Sequence, residues 1–399
     1  MRILQICHRV PYPAIDGANI AMMNLAASMH KAGAEVHMFA LNTRKHFVEP
    51  ASLPPEIIHD FHFKAGVVDT KVSPSGALKN FLGSGSYNVS RFYDVEVSNR
   101  LEEIVSSTAF DIIQFETIFA TPYLDKIRKH TKAKMILRAH NAEHIIWQRL
   151  AEQQKNPFRK KYIRFLSGRL QKYEEDLLDK LDAIIPITSV DEQIFRALHF
   201  EKPMLTIPLG VDLSEYPATS TDAELCLFHL GSMDWMPNLE GVEWFLRSCW
   251  PPIHSEFPEL KLYLAGRGFP EHISNSEIPG VHCEGRIANA VDYMREKQIM
   301  IVPLQSGSGM RVKIIQGLAS GKTIISTTIG AEGIEIINGK NILIADSPEQ
   351  YLQQVRACVS RPGRCREIGM NGRKLVEEKY TEERIGGKLL EFYRRLLQT

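Results

Sequence analysis

Net charge is nearly absent from this chain. Its 48 lysines and arginines offset 47 aspartates and glutamates, which leaves a formal charge of +1 at neutral pH. Nucleic-acid binding normally depends on a strongly basic surface, so we expect no nucleic-acid partner. Hydrophobic residues make up 44% and charged residues 24% of the sequence, which are values typical of globular proteins. A chain of 399 residues is long enough for two domains of ordinary size.

Cysteine pairs and long apolar runs are also missing. The six cysteines include no C-x-x-C pair and no histidine partner at zinc-binding spacing, so we expect reduced thiols in a cytoplasmic protein. The first strand lacks the longer apolar core and the cleavage site of a signal peptide. No uninterrupted apolar run approaches the length of a membrane span. We therefore expect a soluble protein, with peripheral contact at the inner membrane face as the furthest alternative. The cysteines are Cys7, Cys226, Cys249, Cys283, Cys358 and Cys365.

The glycine patterns of two common nucleotide sites are incomplete. Neither half of the chain has a G-x-G-x-x-G pattern after its first strand, which argues against an NAD-dependent oxidoreductase. The turn around Gly307 and Gly309 does not supply that pattern, because Val312 stands where the third glycine is needed. It is not a Walker loop either, since Lys313 is not followed by serine or threonine.

What the sequence does contain is a strand, a small-residue turn and a helix with two cations between residues 301 and 320. Glycines in the turn let backbone amides approach a ligand closely. The predicted helix begins at Met310, and its N-terminus would attract an anion such as phosphate. Arg311 and Lys313 place positive charge in its first turn, which is unfavourable unless an anion binds there. A plain crossover with two solvated cations is the alternative that the local pattern leaves open.

Strands and helices alternate along the chain, which predicts parallel sheets with helical crossovers. Ligands of such sheets bind beyond the carboxyl ends of the strands, and the loop containing Gly17 follows the first strand. Two later strands end in Glu116 and near His140, so both side chains should lie on one rim. Histidine suits proton transfer near neutral pH. A histidine that only caps its strand, and a plain loop at Gly17, are the alternatives.

Two further segments carry weaker signals. Residues 50–90 are rich in proline, glycine and serine, and we interpret them as irregular strand and loop that form a mobile flap. The predicted helix at residues 157–182 has a basic first half. A solvated face is one interpretation of those charges, and contact with anionic lipid headgroups is the other.

Several motifs in one order resemble those of a known family. They are PYPAIDG and KAGAEV near the start, LRAHNAEH in mid-domain, IPLGVDLSEY at a hinge, HLGSMDWMPNLEGVEWF, and finally GSGMRVKIIQGLASGKTIISTTIGAEGI. The chain is similar over nearly its whole length to the GT-B fold glycosyltransferases of group 1, family 4, which use nucleotide sugars and retain anomeric configuration.

The resemblance implies an α/β protein with two facing Rossmann-like domains and the active site in the interdomain cleft. We expect an N-terminal acceptor-side domain at 1–205, a C-terminal nucleotide-sugar donor domain at 206–380, and a C-terminal helix at 381–399 that crosses back to the first domain. The resemblance also implies a nucleotide-diphosphate sugar as donor substrate, with no cofactor and no metal. The acceptor would be a glycan, a lipid-linked molecule or a small-molecule hydroxyl, which suggests polysaccharide biosynthesis.

Residue roles in the first domain follow from the same resemblance. Gly17 matches a first-loop glycine near the donor phosphates or the acceptor. His140 matches a histidine that faces the transferred sugar. Glu116 is expected to help His140 orient the sugar or the acceptor hydroxyl.

In the second domain, the backbone amides of Ser308, Gly309 and Met310 correspond to the turn under the diphosphate. Arg311 and Lys313 match the G-x-R-x-K pattern of this subgroup. We expect these two cations and the amides to stabilise the leaving diphosphate. The transfer passes through an oxocarbenium-like centre, so neutralising the leaving group matters more than a strong acid.

The remaining donor residues include departures from the family pattern. Glu332 lies near the expected nucleotide half. Gln316 stands where many members have a glutamate that accepts hydrogen bonds from the ribose, so we expect weaker donor binding. Ser232 and Asn238 replace an arginine and a lysine that often follow the second domain's first strand. A catalytically weak or inactive protein that binds nucleotide or glycan is therefore the main alternative. A nucleotide-sugar epimerase of the same fold would need acid and base carboxylates that the sequence does not reveal.

Overall fold

The computed structural model describes residues 1–14, 16–71, 85–217, 223–307 and 309–398. The chain forms two compact units. Unit 1 comprises Met1–Gly210 together with Glu382–Thr399, and unit 2 comprises Val211–Thr381. The sequence analysis placed the corresponding boundaries after residues 205 and 380.

Unit 1 contains a six-stranded sheet in the order β3-β2-β1-β4-β5-β6. All its neighbouring strands are parallel. Parallel strands covered on both faces are apolar along their whole length, and every residue of β4 and β6 is buried. The strands are β1 Arg2–Cys7, β2 Glu35–Thr43, β3 Lys64–Val68, β4 Ile112–Glu116, β5 Lys134–Ala139 and β6 Ala183–Pro186.

Helices cover both faces of this sheet, and several begin at a polar side chain that caps them. Asp16 accepts hydrogen bonds from the first turn of the first helix, and Asn156 does the same for the longest helix. The helices of unit 1 are Gly17–Lys31, Pro55–Asp60, Tyr87–Ser90, Val95–Ser107, Leu124–Ile127, Glu143–Gln153, Pro157–Leu178, Ser189–Ala197 and Glu382–Leu397.

The last helix packs against the first one within unit 1. Its buried face joins the core cluster formed by β1, β2 and the first helix. Gly386 permits a close approach, because a Cβ there would lie 2.0 Å from the backbone oxygen of Ser28. The amphipathic pattern of residues 382–397 thus has an apolar partner. The core residues of this helix are Ile385, Leu389, Leu390, Tyr393 and Leu396.

Unit 2 contains a second parallel six-stranded sheet, in the order β12-β11-β10-β7-β8-β9. Numbered from the first strand of each unit, both sheets have the order 3-2-1-4-5-6 of the dinucleotide-binding fold. The prediction of two Rossmann-like domains in an α/β protein is confirmed. The strands are β7 Glu224–Leu230, β8 Leu262–Ala265, β9 Val281–Gly285, β10 Lys297–Val302, β11 Thr323–Ser326 and β12 Leu343–Ile344.

The crossovers of unit 2 are helical as well. A single π-helical segment, Phe245–Cys249, joins two of them. None of the helices in the described ranges combines the length and the apolar character that crossing a bilayer requires. The α-helices are Met236–Trp244, Trp250–Glu256, Glu271–Ser274, Ala290–Arg295, Val312–Ala319, Pro348–Ser360 and Pro362–Lys379.

Two local predictions were wrong. The sequence pattern at 288–297 predicts a helix that continues to Lys297, but the helix ends at Arg295 and Lys297 opens β10. The Lys297 ammonium is buried 3.9 Å from the ring centre of Tyr293, so this charged residue is accommodated inside the strand. Residues 50–90 contain the strand β3, but the rest is not all loop, because they also include the helix Pro55–Asp60. The rest of the expected flap, 72–84, lies outside the described residues.

Candidate functional site

Each sheet reverses its strand order between two neighbouring strands, and such a switch point is where ligands of open α/β sheets bind. In unit 1 the switch lies between β1 and β4. Cys7, the last residue of β1, pairs with Glu116, the last residue of β4. The strand β5 runs beside β4 and leads directly into His140. The predicted site residues of unit 1 therefore lie at the switch point.

Glu116 and His140 are in contact there. Nε2 of His140 lies 2.6 Å from Oε2 of Glu116. Glu116 is fully buried and His140 is 8% exposed. A carboxylate that binds one ring nitrogen fixes the orientation and the tautomer of the imidazole, so the other nitrogen has a defined role toward a ligand.

Glu116 is itself held by two glutamines that are paired across the sheet. Oε1 accepts a hydrogen bond from Nε2 of Gln5 at 2.8 Å and another from Nε2 of Gln114 at 2.6 Å. The hydroxyl of Tyr393, on the last helix, donates to Oε1 of Gln114. Buried hydrogen bonds linked in this way hold the side chains that share them in place. The last helix thereby supports the Glu116–His140 pair.

The loop after His140 is anchored by two buried carboxylates. Glu174, on the longest helix, accepts hydrogen bonds from the backbone amides of Glu143 and His144, both at 3.0 Å. Asp191 accepts one from the amide of Ala142 at 3.0 Å. Burial, followed by the neighbouring Glu174, raises the pKa of Glu143 to about 8. The loop that carries His140 is therefore fixed from two sides.

His8 is a further histidine at this edge, and the sequence analysis missed it. It directly follows β1, and its ring meets that of His140 edge to face with 6.2 Å between centroids. Burial, and then the nearby His140 and Arg9, lower the pKa of His8 well below its usual range. A neutral imidazole therefore stands beside His140. Its position immediately after the first strand was the signal that could have revealed it.

Gly17 lies at the same edge, as the first residue of the first helix. Oδ1 of Asp16 caps that helix by accepting hydrogen bonds from the amides of Ala18 and Asn19, both at 3.1 Å. Arg9 reaches the same oxygen at 2.5 Å. Arg9 thus brings a cation to the glycine loop, and the sequence analysis did not consider it.

In unit 2 the switch point lies between β7 and β10. Gly307 and Gly309, after β10, adopt φ values of +111° and +79°, which few other residues tolerate. The helix begins at Val312 rather than at Met310, because Arg311 is still extended at its cap. Ser308 lies outside the described residues.

Arg311 is nearly buried behind this turn. Nη1 donates to the carbonyl oxygen of Gly309, and the guanidinium lies over the ring of Trp235 at 5.3 Å. The arginine thus bridges the turn after β10 and the loop after β7. Such stacking on an aromatic ring suits arginine better than lysine.

Lys313 crosses to the loop after β7. Its Nζ donates to Oδ1 of Asn238 at 2.7 Å, and Nδ2 of Asn238 donates to the carbonyl oxygen of Ser232 at 2.8 Å. A Cβ on Gly231 would lie only 2.6 Å from this Nζ, so the glycine leaves room for the ammonium. Burial, and then Arg311, lower the pKa of Lys313 to about 7. An anion at this position would restore the full charge.

Ser232 and Asn238 stand where two cations were expected, and their contacts in the structure show what each of them does instead. Asn238 is an acceptor for Lys313, where a second lysine would repel it. Arg267, which follows β8, donates from Nε to Oγ of Ser232 at 3.2 Å and lies 3.1 Å from Asp234. Arg267 therefore supplies positive charge beside Ser232, and the sequence analysis missed it.

Two other predicted donor residues, Gln316 and Glu332, lie outside the group formed by Arg311, Lys313 and Asn238. Nε2 of Gln316 donates to the hydroxyl of Tyr216 at 3.0 Å. Glu332 is half-buried in the loop that follows β11. Among the residues described, the carboxyl edge of neither sheet brings together three histidine, cysteine or carboxylate side chains that could share a metal ion. The unit 2 edge instead offers amides, two cations and an asparagine, which suit an anion.

Two family models match the chain. Residues 15–215, about half of the sequence, match Glycosyltransferase Family 4, and residues 224–361 match Glycosyl transferases group 1. A curated relative from Klebsiella pneumoniae is described as an uncharacterized 44.6 kDa protein in the cps region. It is 20% identical over an alignment of 402 positions, which covers 96% of this chain and 97% of that protein.

Solved structures of similar fold cover nearly the whole chain. Sucrose-phosphate synthase from Thermosynechococcus elongatus has a TM-score of 0.73 at 16% identity, covering 100% of this chain and 99% of its own. Anabaena HepE in complex with UDP has a TM-score of 0.66 at 12% identity, with coverages of 99% and 100%. A mutant of S. aureus TarM, in complex with fondaparinux, alpha-GlcNAc-glycerol and UDP, has a TM-score of 0.66 at 12% identity and covers both chains fully. At these identities the likeness is one of fold.

Proposed function

Since the chain belongs to glycosyltransferase family 4, we propose that it transfers a sugar from a nucleoside-diphosphate sugar to a hydroxyl acceptor. The observation that carries this proposal is the placement of Lys313 beside Arg311 at the switch point of unit 2, with its Nζ on Asn238. A partly buried ammonium with a lowered pKa gains most from an anionic ligand.

The leaving diphosphate binds at the turn after β10. The amides of residues 308–310 donate to its oxygens, and Arg311 and Lys313 neutralise the charge that develops as the glycosidic bond breaks. Both cations are held by the protein before the ligand arrives. Their preorganisation means that little rearrangement is needed in the transition state.

We propose UDP as the nucleotide to try first. HepE and TarM were both solved with UDP, and their folds span the same two units. Glu332 lies on the nucleotide side of the site in this proposal. Gln316 takes the place of a ribose-binding carboxylate, and its amide is anchored on Tyr216. A neutral acceptor at this position predicts a weaker complex than a glutamate would give.

The Glu116–His140 pair orients the transferred sugar or the acceptor hydroxyl. Glu116 holds one ring nitrogen of His140, which leaves the other for the substrate. The neutral His8 ring beside it adds a second group able to hydrogen-bond a hydroxyl. Gly17 and Arg9 complete this edge of unit 1.

The acceptor is a glycan or a lipid-linked sugar in this proposal, with polysaccharide assembly in the cytoplasm as the setting. The longest helix supports a membrane-associated acceptor, because Phe158 is 85% exposed and Tyr162 is 53% exposed. Arginines and lysines surround these rings in the sequence. Exposed aromatics among basic side chains are typical of surfaces that contact anionic lipid.

The second candidate is a binding protein that holds a nucleotide or a glycan without transferring sugar. The neutral Gln316 and Asn238 favour it, since each stands where the family pattern has a charged residue. In our proposal, sugar transfer depends on His140, whereas binding of the donor does not.

The test is the release of nucleoside diphosphate from UDP-, GDP-, ADP- and TDP-sugars, comparing the wild type with His140→Ala. We expect turnover with one donor series, lost in His140→Ala while donor affinity stays within about threefold. His59→Ala, which changes an exposed histidine of unit 1, is the matched control. Donor binding without turnover in the wild type, with an acceptor panel present, would favour the binding protein.

A further inference from the structure

The amino edge of the unit 1 sheet holds a cluster of three side chains that the proposed transfer does not use. They are Glu35, His37 and His62, and one ligand atom from each lies within 4.8 Å of the others. Glu35 and His37 open β2, whereas Glu116 and His140 lie at the opposite, carboxyl edge. The cluster is therefore separate from the proposed catalytic residues of this unit.

The strand places two of the three groups on one face. Residues two apart on a strand point the same way, and Nε2 of His37 lies 2.9 Å from Oε1 of Glu35. The ring of His37 is also held edge to face by Phe110, with centroids 5.1 Å apart. Its orientation toward Glu35 is therefore fixed before any ligand arrives.

The third group comes from a turn that is tied to the same strand. The amide of Met38 donates to the carbonyl oxygen of Phe61 at 2.8 Å, so His62 is held next to His37. Its ring stacks on that of His37 with centroids 4.3 Å apart and an angle of 18° between planes. His62 has a φ of +41°, a conformation in which histidine is uncommon. The backbone thus directs this imidazole onto the other one.

We infer that Glu35, His37 and His62 form a binding site for a transition-metal ion of the zinc class. Two imidazoles and one carboxylate are nitrogen and oxygen ligands that suit Zn²⁺, and they leave a fourth position for water. Calcium and magnesium prefer oxygen ligands alone. On a tetrahedral zinc ion neighbouring ligand atoms lie roughly 3.4 Å apart. The cluster reaches that spacing by rotation of the exposed side chains.

Arg2 competes for the same carboxylate, since its Nε lies 2.9 Å from Oε1 of Glu35. Both Arg2 and His37 use this one oxygen, and a carboxylate has a second oxygen with which to bind a cation. A bound ion would cross-link β2 to the turn before β3. The expected consequence is a metal-dependent rise in the stability of unit 1, independent of donor binding.

The test is titration of the chelator-treated full chain, free of any histidine tag, with zinc chloride in a calorimeter. We expect one saturable site in the wild type. His37→Gln and His62→Asn should each weaken it at least tenfold, and zinc should raise the melting temperature of the wild type but not of these two variants. Asparagine tolerates a positive φ, so His62→Asn keeps the turn. His59→Gln, which changes an exposed histidine on the neighbouring helix, should bind zinc as the wild type does.

A third variant guards against a folding artefact. Glu35→Gln keeps the shape of the side chain and an oxygen for His37 and Arg2, but it removes the charge, and it should also weaken zinc at least tenfold. Circular dichroism checks that each variant is folded. No saturable zinc binding by the wild type, or equal affinity in folded His37→Gln and His62→Asn proteins, would overturn the inference.

Discussion

Nζ of Lys313 donates a hydrogen bond to Oδ1 of Asn238 across 2.7 Å, which joins the helix after β10 to the helix Met236–Trp244 that follows β7. The family resemblance implies a second cation where Asn238 stands. The neutral Asn238 orients Lys313, because its amide oxygen accepts a hydrogen bond from the ammonium. The proposed donor site depends on this pair more than on the number of cations.

A methyl group on Gly231 tests whether the position of Lys313 matters. The Cβ of Gly231→Ala would lie 2.6 Å from Nζ of Lys313 and 2.8 Å from Nδ2 of Asn238, so both side chains must move. We expect nucleoside-diphosphate affinity to fall about tenfold, or ~1.4 kcal/mol, in a folded protein. Calorimetric titration measures it. Gly363→Ala is the control, because a Cβ there meets nothing within 4 Å; equal affinity in both variants would refute the assignment.

Donor binding should take up a proton above neutral pH. Burial and Arg311 lower the pKa of Lys313 to about 7 in the free protein, and a bound diphosphate raises it. Between these two pKa values the free protein holds the neutral amine and the complex holds the ammonium. Affinity is therefore full below pH 7 and falls as the pH rises, by up to about tenfold per unit.

The proton is counted by titrating a nucleoside-diphosphate sugar at pH 8 in two buffers with different heats of ionisation. The wild type should take up close to one proton per donor bound. In Lys313→Ala this uptake should vanish along with most of the affinity. Identical apparent heats in both buffers for the wild type would mean that Lys313 does not meet the diphosphate.

Replacing the carboxylate at Glu116 tests the first-unit site. Glu116→Gln leaves one carbonyl oxygen where there were two, so the new NH2 group must face either Nε2 of His140 or the donors of Gln5 and Gln114. A hydrogen bond to a charged group contributes about 1.5–3 kcal/mol, so we expect kcat to fall roughly 10- to 150-fold. The KM for the donor should change little.

Steady-state kinetics across a pH series separate this effect from a general loss of structure. Glu103→Gln, at an exposed position of unit 1, should leave both constants unchanged. A Glu116→Gln enzyme with the rate and pH profile of the wild type would remove the Glu116–His140 pair from the mechanism.

Two adjacent glycines test how the last helix docks. A Cβ on Gly386 would lie 2.0 Å from the backbone oxygen of Ser28, whereas one on Gly387 meets nothing within 4 Å. Gly386→Ala should destabilise unit 1 by about 1–3 kcal/mol through overpacking. Gly387→Ala should stabilise it by roughly 0.5–1 kcal/mol, since alanine favours the helix. Urea denaturation compares their midpoints, and similar shifts in one direction would contradict this packing.

Much of the fold could be predicted because alternating strands and helices leave few topologies. Residues 382–397 have a clear apolar stripe, and the structure gives a helix with those bounds. The pattern at 288–297 predicts a helix through Lys297, yet Lys297 belongs to β10 and lies buried beside the ring of Tyr293. A tertiary contact of this kind leaves no local signal.

Part of the candidate site could likewise be predicted from the sequence, and part of it could not. Glu116 and His140 end neighbouring strands, so the topology alone brings them together. The partner of Lys313 is 75 positions away in sequence, and Asn238 was counted only as a lost cation. Arg267 and His8 follow strands whose order in the sheet is set by long-range pairing. The roles proposed for all of these residues remain predictions.

Binding of UDP to the wild type and to Lys313→Ala is the measurement that tests the central claim most directly. Calorimetry with UDP, GDP, ADP and TDP should reveal saturable binding of one diphosphate by the wild type. That binding should weaken at least tenfold in Lys313→Ala and in Arg311→Ala. Lys374→Ala, at an exposed lysine of unit 2, should bind as the wild type does. Undiminished affinity in folded Lys313→Ala, or no binding of any diphosphate by the wild type, would contradict a donor site at this turn.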